Sequence, residues 1–167
     1  MDLGTLEEIR RLKYRYLRSL DLKRWDEFAT TLAEDATVDY GTPVYGKPIR
    51  LAGRDEIVTF MRDRLGPEII TVHLVGQPEI DVDGDDATGT WGMQDTVIAT
   101  EHQIVIQGAA FYEDRYRRGA DGVWRISHTG YERTYEAMVA LKDLPGFRLT
   151  ANRWAAERTD GAVAEQH

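Results

Sequence analysis

The sequence of 167 residues contains no cysteine, which excludes disulfide bonds, thiol catalysis and cysteine-ligated zinc sites. Its apolar runs fall far short of the roughly 20 residues of a membrane-spanning helix, and its first residues lack the pattern of a secretory signal. It also has no glycine-rich phosphate loop, no metalloprotease helix motif and no serine nucleophile elbow, and its four histidines are scattered. We therefore expect a cytoplasmic protein with no membrane segment and no metal site.

Basic residues are fewer than acidic ones: the sequence has 21 lysines and arginines and 29 aspartates and glutamates, which gives a formal net charge of −8. Nucleic acids and anionic membranes bind basic surfaces, so we expect neither as a partner. Apolar residues, in contrast, make up an ordinary 42% of the chain, and its length suffices for one hydrophobic core. We expect a single domain over residues 1–152, followed by a C-terminal tail over residues 153–167.

The spacing of apolar residues divides the chain into a helical first part and a strand-rich second part. Apolar residues three and four positions apart predict helices over residues 5–20, 22–32 and 55–65. A short strand is predicted over residues 36–40, followed by a loop over residues 41–53 that is rich in proline and glycine. β-branched residues and turn signals predict four long strands, over residues 69–82, 87–100, 103–118 and 123–135.

This element order predicts an α+β domain in which helices lie on one side of a mostly antiparallel sheet. The predicted strands are much longer than the usual five or six residues, and long strands twist and curl. We therefore expect the curled sheet, with the helices laid across it, to enclose a cone-shaped cavity suited to a small molecule.

Two polar residues interrupt apolar strands, and both are candidates for acid–base chemistry. His73 lies in an otherwise uncharged strand, and Asp95 shares a strand face with Trp91, Met93 and Val97. Histidine exchanges a proton near neutral pH, and an aspartate on an apolar face needs a partner. We predict that Asp95 orients His73 in a catalytic dyad. The alternative is that each is a structural residue satisfied by the backbone or by a threonine hydroxyl.

Helix and strand spacing place two further groups of polar residues. Tyr16 lies on the apolar face of the first helix and Asp21 follows five positions later. This spacing alone favours Asp21 as the N-cap of the second helix and Tyr16 as a core residue. Alternation in the last strand puts Tyr131, Arg133 and Tyr135 on one face. Arg133 there either binds an anionic group of a substrate or pairs with a structural carboxylate.

An ordered set of short segments across residues 5–152 resembles the SnoaL-like branch of the NTF2-like superfamily, and within it the bile acid 7α-dehydratase family. The matching residues are Tyr16-Leu17-Arg18-Ser19-Leu20-Asp21, Trp25-Asp26-Glu27, Thr30-Thr31-Leu32, His73, Pro78-Glu79-Ile80, Ala87-Thr88-Gly89, Trp91, Asp95, Gly108-Ala109-Ala110-Phe111-Tyr112, Asp121-Gly122-Val123-Trp124 and Thr129-Gly130-Tyr131-Glu132-Arg133. No single segment is specific, but their order is. Scytalone dehydratases and lindane dehydrochlorinases of the same superfamily have a similar histidine–aspartate pair.

The resemblance implies a cone-shaped α+β barrel, an apolar cavity and an activity that needs no cofactor. The family's site residues correspond to Tyr16, Asp21, Tyr40, His73, Asp95 and Arg133 of this sequence. We assign catalytic roles to Tyr16, Asp21, His73 and Asp95, and substrate contacts to Tyr40, Trp91, Phe111, Tyr131 and Arg133. Such proteins commonly form trimers, so we expect a homo-oligomer, with a trimer favoured.

The predicted function is that of a dehydratase, a carbon–oxygen lyase that removes water from a hydroxylated, carbonyl-activated polycyclic or steroid-like substrate. The substrate is expected either as the free molecule or as a CoA thioester. His73 is expected to abstract the proton and Tyr16 to stabilise the resulting oxyanion. The alternatives are a ketosteroid-isomerase-like enzyme or a polyketide cyclase, which begin with the same proton abstraction, and a non-catalytic small-molecule-binding protein.

Overall fold

Three helices lie within the first 64 residues of the computed structural model, which describes residues 3–41 and 46–155. They are α1 (Leu3–Asp21), α2 (Trp25–Thr30) and α3 (Arg54–Arg64). The residues of α1 that recur every three or four positions, from Ile9 to Leu20, are buried, as their spacing predicts. Among the residues that the structure describes, no helix has both the length and the apolar character needed to cross a membrane.

Six strands form one sheet. They are β1 (Leu32–Gly41), β2 (Ile49–Ala52), β3 (Ile69–Asp83), β4 (Asp86–Ala99), β5 (Ile104–Arg118) and β6 (Trp124–Ala140). The order across the sheet is β2-β1-β6-β5-β4-β3, and every neighbouring pair is antiparallel except β1 and β6, which are parallel. The predicted turns are present, with Gly84 and Gly122 at the positive φ angles of 59° and 76° that favour glycine.

The architecture confirms the predicted α+β cone. Strands β3 to β6 contain 15, 14, 15 and 17 residues, long enough to curl around the helices. The hydrophobic core fills the space between α1, α2, α3 and the inner face of the sheet. Its most buried members are Ile9, Phe28, Leu32, Ala36, Ile57, Trp91 and Ile126.

Several boundaries differ from the prediction, among them the end of β6, which lies at Ala140 and not at Tyr135. α2 ends at Thr30, because Leu32 pairs with Ile126 as the first residue of β1. β2 lies within the predicted loop, where its four residues pair with β1 along one edge of the sheet. Asp21 is not the cap of α2: the residue before that helix is Arg24, which makes no side-chain cap, and Asp21 is instead the last residue of α1.

The end of the described chain returns to the helices. After a short 3₁₀ helix at Leu141–Asp143, the indole of Trp154 is 9% exposed and lies 5.3 Å from the ammonium of Lys23. Lys23 also donates a hydrogen bond of 2.8 Å to the carbonyl of Ile69. Residues 156–167 of the predicted tail lie outside the described residues.

Candidate active site

A cavity of about 510 Å³ lies between α1, α3 and the inner face of the sheet, a volume within the range of small-molecule sites. Most of its wall is apolar or aromatic. These residues are Tyr16, Leu20, Tyr40, Ile49, Phe60, Met61, Leu65, Ile69, Val97, Ala99, Ile104, Ile106, Tyr112 and Tyr131. Thr71, His73, Asp95, Arg133 and Glu136 lie on the sheet and form a polar wall, whereas Asp63 and Arg64 line the cavity from α3 and Glu68 and His102 from the connections between elements.

The polar wall is a row of residues at matching positions on four adjacent strands. His73 of β3 is the register partner of Asp95 of β4, Asp95 is the partner of Gly108 of β5, and Gly108 is the partner of Glu136 of β6. Such partners point to the same face of a sheet, so the row places an imidazole and two carboxylates side by side along the cavity.

His73 is bonded to Asp21, and this overturns the predicted partner. Its Nδ1 lies 2.6 Å from Oδ1 of Asp21, and its backbone N–H donates to Oδ2 over 2.9 Å. The hydroxyl of Thr71 donates to the same carboxylate over 2.8 Å. The C-terminal end of α1 thus holds the imidazole from the helix side. Asp95, although adjacent on the sheet, does not form the predicted dyad, because its oxygens are bonded to Arg133.

Arg133 takes both oxygens of Asp95 in a two-point ion pair. Its two terminal nitrogens lie 2.7 and 2.8 Å from the carboxylate oxygens, and its Nε lies 2.9 Å from Oε2 of Glu136. Burial alone would lower the pKa of Arg133, but the hydrogen bonds and charge of Asp95 outweigh it and raise that pKa. The guanidinium crosses β5 over Gly108, where an added Cβ would lie only 2.2 Å from Nη1. Glycine therefore leaves the space through which Arg133 reaches Asp95.

Two features of β6 explain why sequence reasoning missed Glu136: the predicted strand ends at residue 135 whereas β6 continues to Ala140, and a β-bulge interrupts it. Ala109 pairs with Tyr135 and Ala110 with Arg133, so Thr134 is an extra residue that shifts the alternation by one. Arg133 and Glu136 consequently both face the cavity, whereas Tyr135, predicted on the same face as Arg133, is 53% exposed on the other face.

Four tyrosines form the aromatic end of the cavity. The hydroxyls of Tyr16 and Tyr40 are hydrogen-bonded to each other, and the ring of Tyr131 stacks on Tyr40 and meets Tyr112 edge-on. Burial raises the pKa of Tyr16, Tyr40 and Tyr112 well above the usual value, so these phenols stay protonated at neutral pH. When Tyr40 donates to Tyr16, the hydroxyl proton of Tyr16 is left for a molecule in the cavity.

A fully buried ion pair lies behind these tyrosines. Nζ of Lys13 is 2.7 Å from Oδ2 of Asp114 and 3.3 Å from the centre of the Tyr112 ring, and both charged side chains are 0% exposed. The hydroxyl of Tyr116 donates to Asp114 over 2.7 Å and accepts a hydrogen bond from the indole of Trp91 over 2.8 Å. Burial lowers the pKa of Lys13, and the nearby charge of Asp114 opposes that shift.

The structure brings together most of the residues predicted for the site. Tyr16, Tyr40, His73, Asp95, Tyr131 and Arg133 line the cavity, and Asp21 is bonded to His73 at its wall. Two predicted substrate contacts are not there. Trp91 is fully buried in the network of Tyr116, and Phe111 is 53% exposed beside a shallow depression on the outer face of the sheet. Strand alternation explains Phe111, because its neighbour Tyr112 takes the inward position.

Metal binding finds no support among the described residues. Across residues 3–41 and 46–155, no three histidine, aspartate or glutamate side chains converge as ligands would. The chemistry that the site's own residues can perform is proton transfer at His73, supported by the phenols and by the Arg133 ion pairs.

The fold is shared with several solved structures. A protein from Kribbella flavida is 24% identical, with a TM-score of 0.72 over 81% of this chain and 95% of that chain. A putative scytalone dehydratase from Novosphingobium aromaticivorans is 20% identical, with a TM-score of 0.71 over 81% and 87%. A hexachlorocyclohexane dehydrochlorinase from Novosphingobium barchaimii is 19% identical, with a TM-score of 0.73 over 89% and 96%. At these identities the likeness shows the fold.

Membership of a family rests on a separate comparison, made with the sequence. The family described as the SnoaL-like domain matches residues 1–130. This match takes in α1 to β5 and the first seven residues of β6, and it includes His73, Asp21 and Thr71 but ends before Arg133 and Glu136. It confirms the predicted superfamily: the chain belongs to the SnoaL-like domain family.

Proposed function

We propose that this protein is a cofactor-independent dehydratase that removes water from a hydroxylated, carbonyl-activated polycyclic or steroid-like molecule. The observation that carries the proposal is the His73–Asp21 pair, held by a hydrogen bond of 2.6 Å at the wall of an apolar cavity. The names of two structural neighbours, a dehydratase and a dehydrochlorinase, support it because both describe eliminations. The resemblance to the bile acid 7α-dehydratase family favours steroids as the first substrates to test.

The first step is proton abstraction by His73. Its Nδ1–H donates to Asp21, so Nε2 is the nitrogen that takes the proton from carbon next to the substrate's carbonyl. The Asp21 carboxylate fixes the ring orientation and stabilises the imidazolium that forms. Thr71 and the backbone of His73 bond the same carboxylate and hold it in place.

The second step is loss of the hydroxyl group. Breaking the C–H bond leaves an enolate, whose oxygen accepts a hydrogen bond from Tyr16 at the aromatic end of the cavity. The electron pair then forms the carbon–carbon double bond as the C–O bond breaks. Protonated His73 returns the proton to the departing hydroxide, which leaves as water, so that no proton or electron is gained or lost.

Replacing Asp21 with asparagine is expected to lower kcat by at least about 100-fold, because the amide neither stabilises the imidazolium nor selects the required tautomer of His73. Steady-state kinetics measure this loss. Asp39→Asn is the matched control, since Asp39 forms an exposed ion pair with Arg50 outside the cavity lining. If Asp21→Asn keeps full activity and Asp95→Asn instead loses about 100-fold in kcat, Asp95 and not Asp21 is the partner of His73.

The proposed function is tested by incubating the protein with hydroxylated steroid enones and smaller polycyclic hydroxyketones and measuring product masses. Loss of one water from a substrate, absent with a His73→Ala variant, supports the dehydratase. An unchanged mass with a shifted double bond identifies an isomerase, and binding without any reaction identifies a carrier; either result refutes the proposal.

We also propose that the protein forms a homo-oligomer, with a trimer favoured, through the outer face of β3 to β6. Large exposed apolar side chains on these strands are Val72, Leu74, Phe111, Tyr135 and Met138. The row Leu74–Gln94–Ala109–Tyr135 carries no charge, so a second copy covers it without desolvating an ion. Light scattering during size-exclusion chromatography is expected to give three times the chain mass of 19.0 kDa, and a monomer at all concentrations contradicts this.

A further inference from the structure

The polar wall of the cavity holds one cation between two anions. Arg133 lies between Asp95 and Glu136, at nitrogen–oxygen distances of 2.7, 2.8 and 2.9 Å. The three side chains are 4%, 2% and 11% exposed, so water screens their charges little. With one guanidinium and two carboxylates, the trio carries a net charge of −1.

The rest of the cavity lining does not reverse this sign. The remaining charged residues around it are Asp63, Arg64 and Glu68. Four carboxylates therefore face two guanidinium groups among the described lining residues. Asp21, bonded to His73 at the wall, adds a fifth carboxylate next to the reacting imidazole.

An anionic substrate group would find no available cation on the polar wall, because Arg133 is already paired there, and Arg64, the other guanidinium of the lining, lies at an exposed position at the end of α3. To bind a carboxylate through both terminal nitrogens, Arg133 must release Asp95, which is 2% exposed and would then be a buried charge without its partner. An uncharged oxygen avoids this cost. Each terminal nitrogen of Arg133 carries a second N–H. That N–H can donate a hydrogen bond to a carbonyl or hydroxyl oxygen while the ion pair with Asp95 stays intact.

We propose that the substrate of this cavity is uncharged, a neutral hydroxyketone rather than a free carboxylic acid, and that Glu136 is the residue that excludes anions. That this molecule is a substrate rests on the proposed dehydratase function. The preference of the cavity for binding uncharged molecules does not. Like charges brought together in a partly dry site strongly disfavour association, so one added negative charge on a ligand should weaken binding about tenfold or more.

The test uses two fluorescent probes with the same ring skeleton, neutral N-phenylnaphthylamine and its anionic sulfonate, anilinonaphthalene sulfonate. Both report apolar surroundings by increased emission, so titration gives Kd values without knowledge of the substrate. We expect the neutral probe to bind the full chain at least about tenfold more tightly than the sulfonate. Added salt should narrow the difference by screening the repulsion.

Glu136→Gln is expected to tighten sulfonate binding about tenfold and to leave binding of the neutral probe within about twofold. The matched control is Glu132→Gln, which removes the same charge from β6 at an exposed position outside the cavity lining and should change neither Kd. Thermal unfolding verifies that each variant is folded, and the salt titration of the unchanged chain gives a second reading should Glu136→Gln not fold.

Three results would overturn the proposal: sulfonate binding as tight as that of the neutral probe, an unchanged ratio in Glu136→Gln, or no binding of either probe. Neither probe carries a hydroxyl that can be eliminated, so their binding is independent of turnover. If no substrate is dehydrated but the two probes give the expected ratio of Kd values, the proposed reaction is refuted. The proposal that the cavity prefers uncharged molecules is then kept. If dehydration is observed but the probe ratios are not those expected, the dehydratase stands and Glu136 is not the residue that excludes anions.

Discussion

His73→Ala is expected to lower kcat by about 10²- to 10⁴-fold, the contribution typical of one positioned acid–base group. The variant loses the proposed acceptor of the substrate proton and the proposed donor to the leaving hydroxyl. It should fold normally, because Asp21 keeps its hydrogen bonds to the Thr71 hydroxyl and to the backbone N–H of residue 73. Steady-state kinetics with a substrate found in the screen measure the loss, and added imidazole should restore part of the activity.

His128→Ala is the matched control for that substitution. His128 is also partly buried and hydrogen-bonded, with Nδ1 2.8 Å from the hydroxyl of Thr37, but it does not line the cavity. Its loss should cost about 1 kcal/mol of stability and leave kcat within about twofold. A folded His73→Ala variant with full activity would refute the proposed mechanism.

The second large effect is expected on stability, at the buried pair behind the tyrosines. Lys13→Met should lower the free energy of unfolding by about 3–5 kcal/mol, because Asp114 is then left buried without a cation. Methionine keeps the length of the lysine stem as far as Cε and lacks the ammonium that lies 3.3 Å from the Tyr112 ring, so most of the apolar stem is kept while the charge is lost. Urea denaturation measures the change, and Lys142→Met at an exposed position serves as the control.

A double variant separates the loss of charge balance from the loss of packing. Adding Asp114→Asn to Lys13→Met removes the uncompensated carboxylate and keeps an oxygen that accepts from the Tyr116 hydroxyl. The double variant should therefore recover a large part of the stability lost in Lys13→Met. An equal or larger loss in the double variant would show that the methionine is poorly packed and that the charge is not the cause.

Sequence periodicity places several candidate residues at one cavity, because spacing fixes the face on which a residue lies. Tyr16 lies on the buried stripe of α1, and His73 and Asp95 are neighbours across β3 and β4. Spacing does not determine which partners bond. Arg133 reaches Asp95 from two strands away over Gly108, and the carboxylate for His73 comes from the end of α1.

The other features that the sequence does not predict, the inward position of Glu136 and the strand β2, depend on irregular backbone and tertiary pairing. One extra residue at Thr134 turns Glu136 inward and Tyr135 outward, and nothing in the local residue pattern distinguishes this bulge from regular alternation. The four residues of β2 are similarly too few to separate an edge strand from the loop around them. Their conformation depends on pairing with β1, a tertiary contact.

The parallel pairing of β1 with β6 also sets the order in which the chain can fold. β1 pairs on one side with β2, which follows it closely in the chain, but its neighbour on the other side is β6, and the Ile126 that pairs with Leu32 is made about 90 residues later. At 5–20 residues per second, a ribosome needs roughly 5–20 s to supply it. During that time the antiparallel strands can pair as they emerge, while the edge of β1 that later pairs with β6 stays unpaired. Refolding should accordingly be slow for a domain of this size, and nascent chains that stop before β6 should bind chaperones.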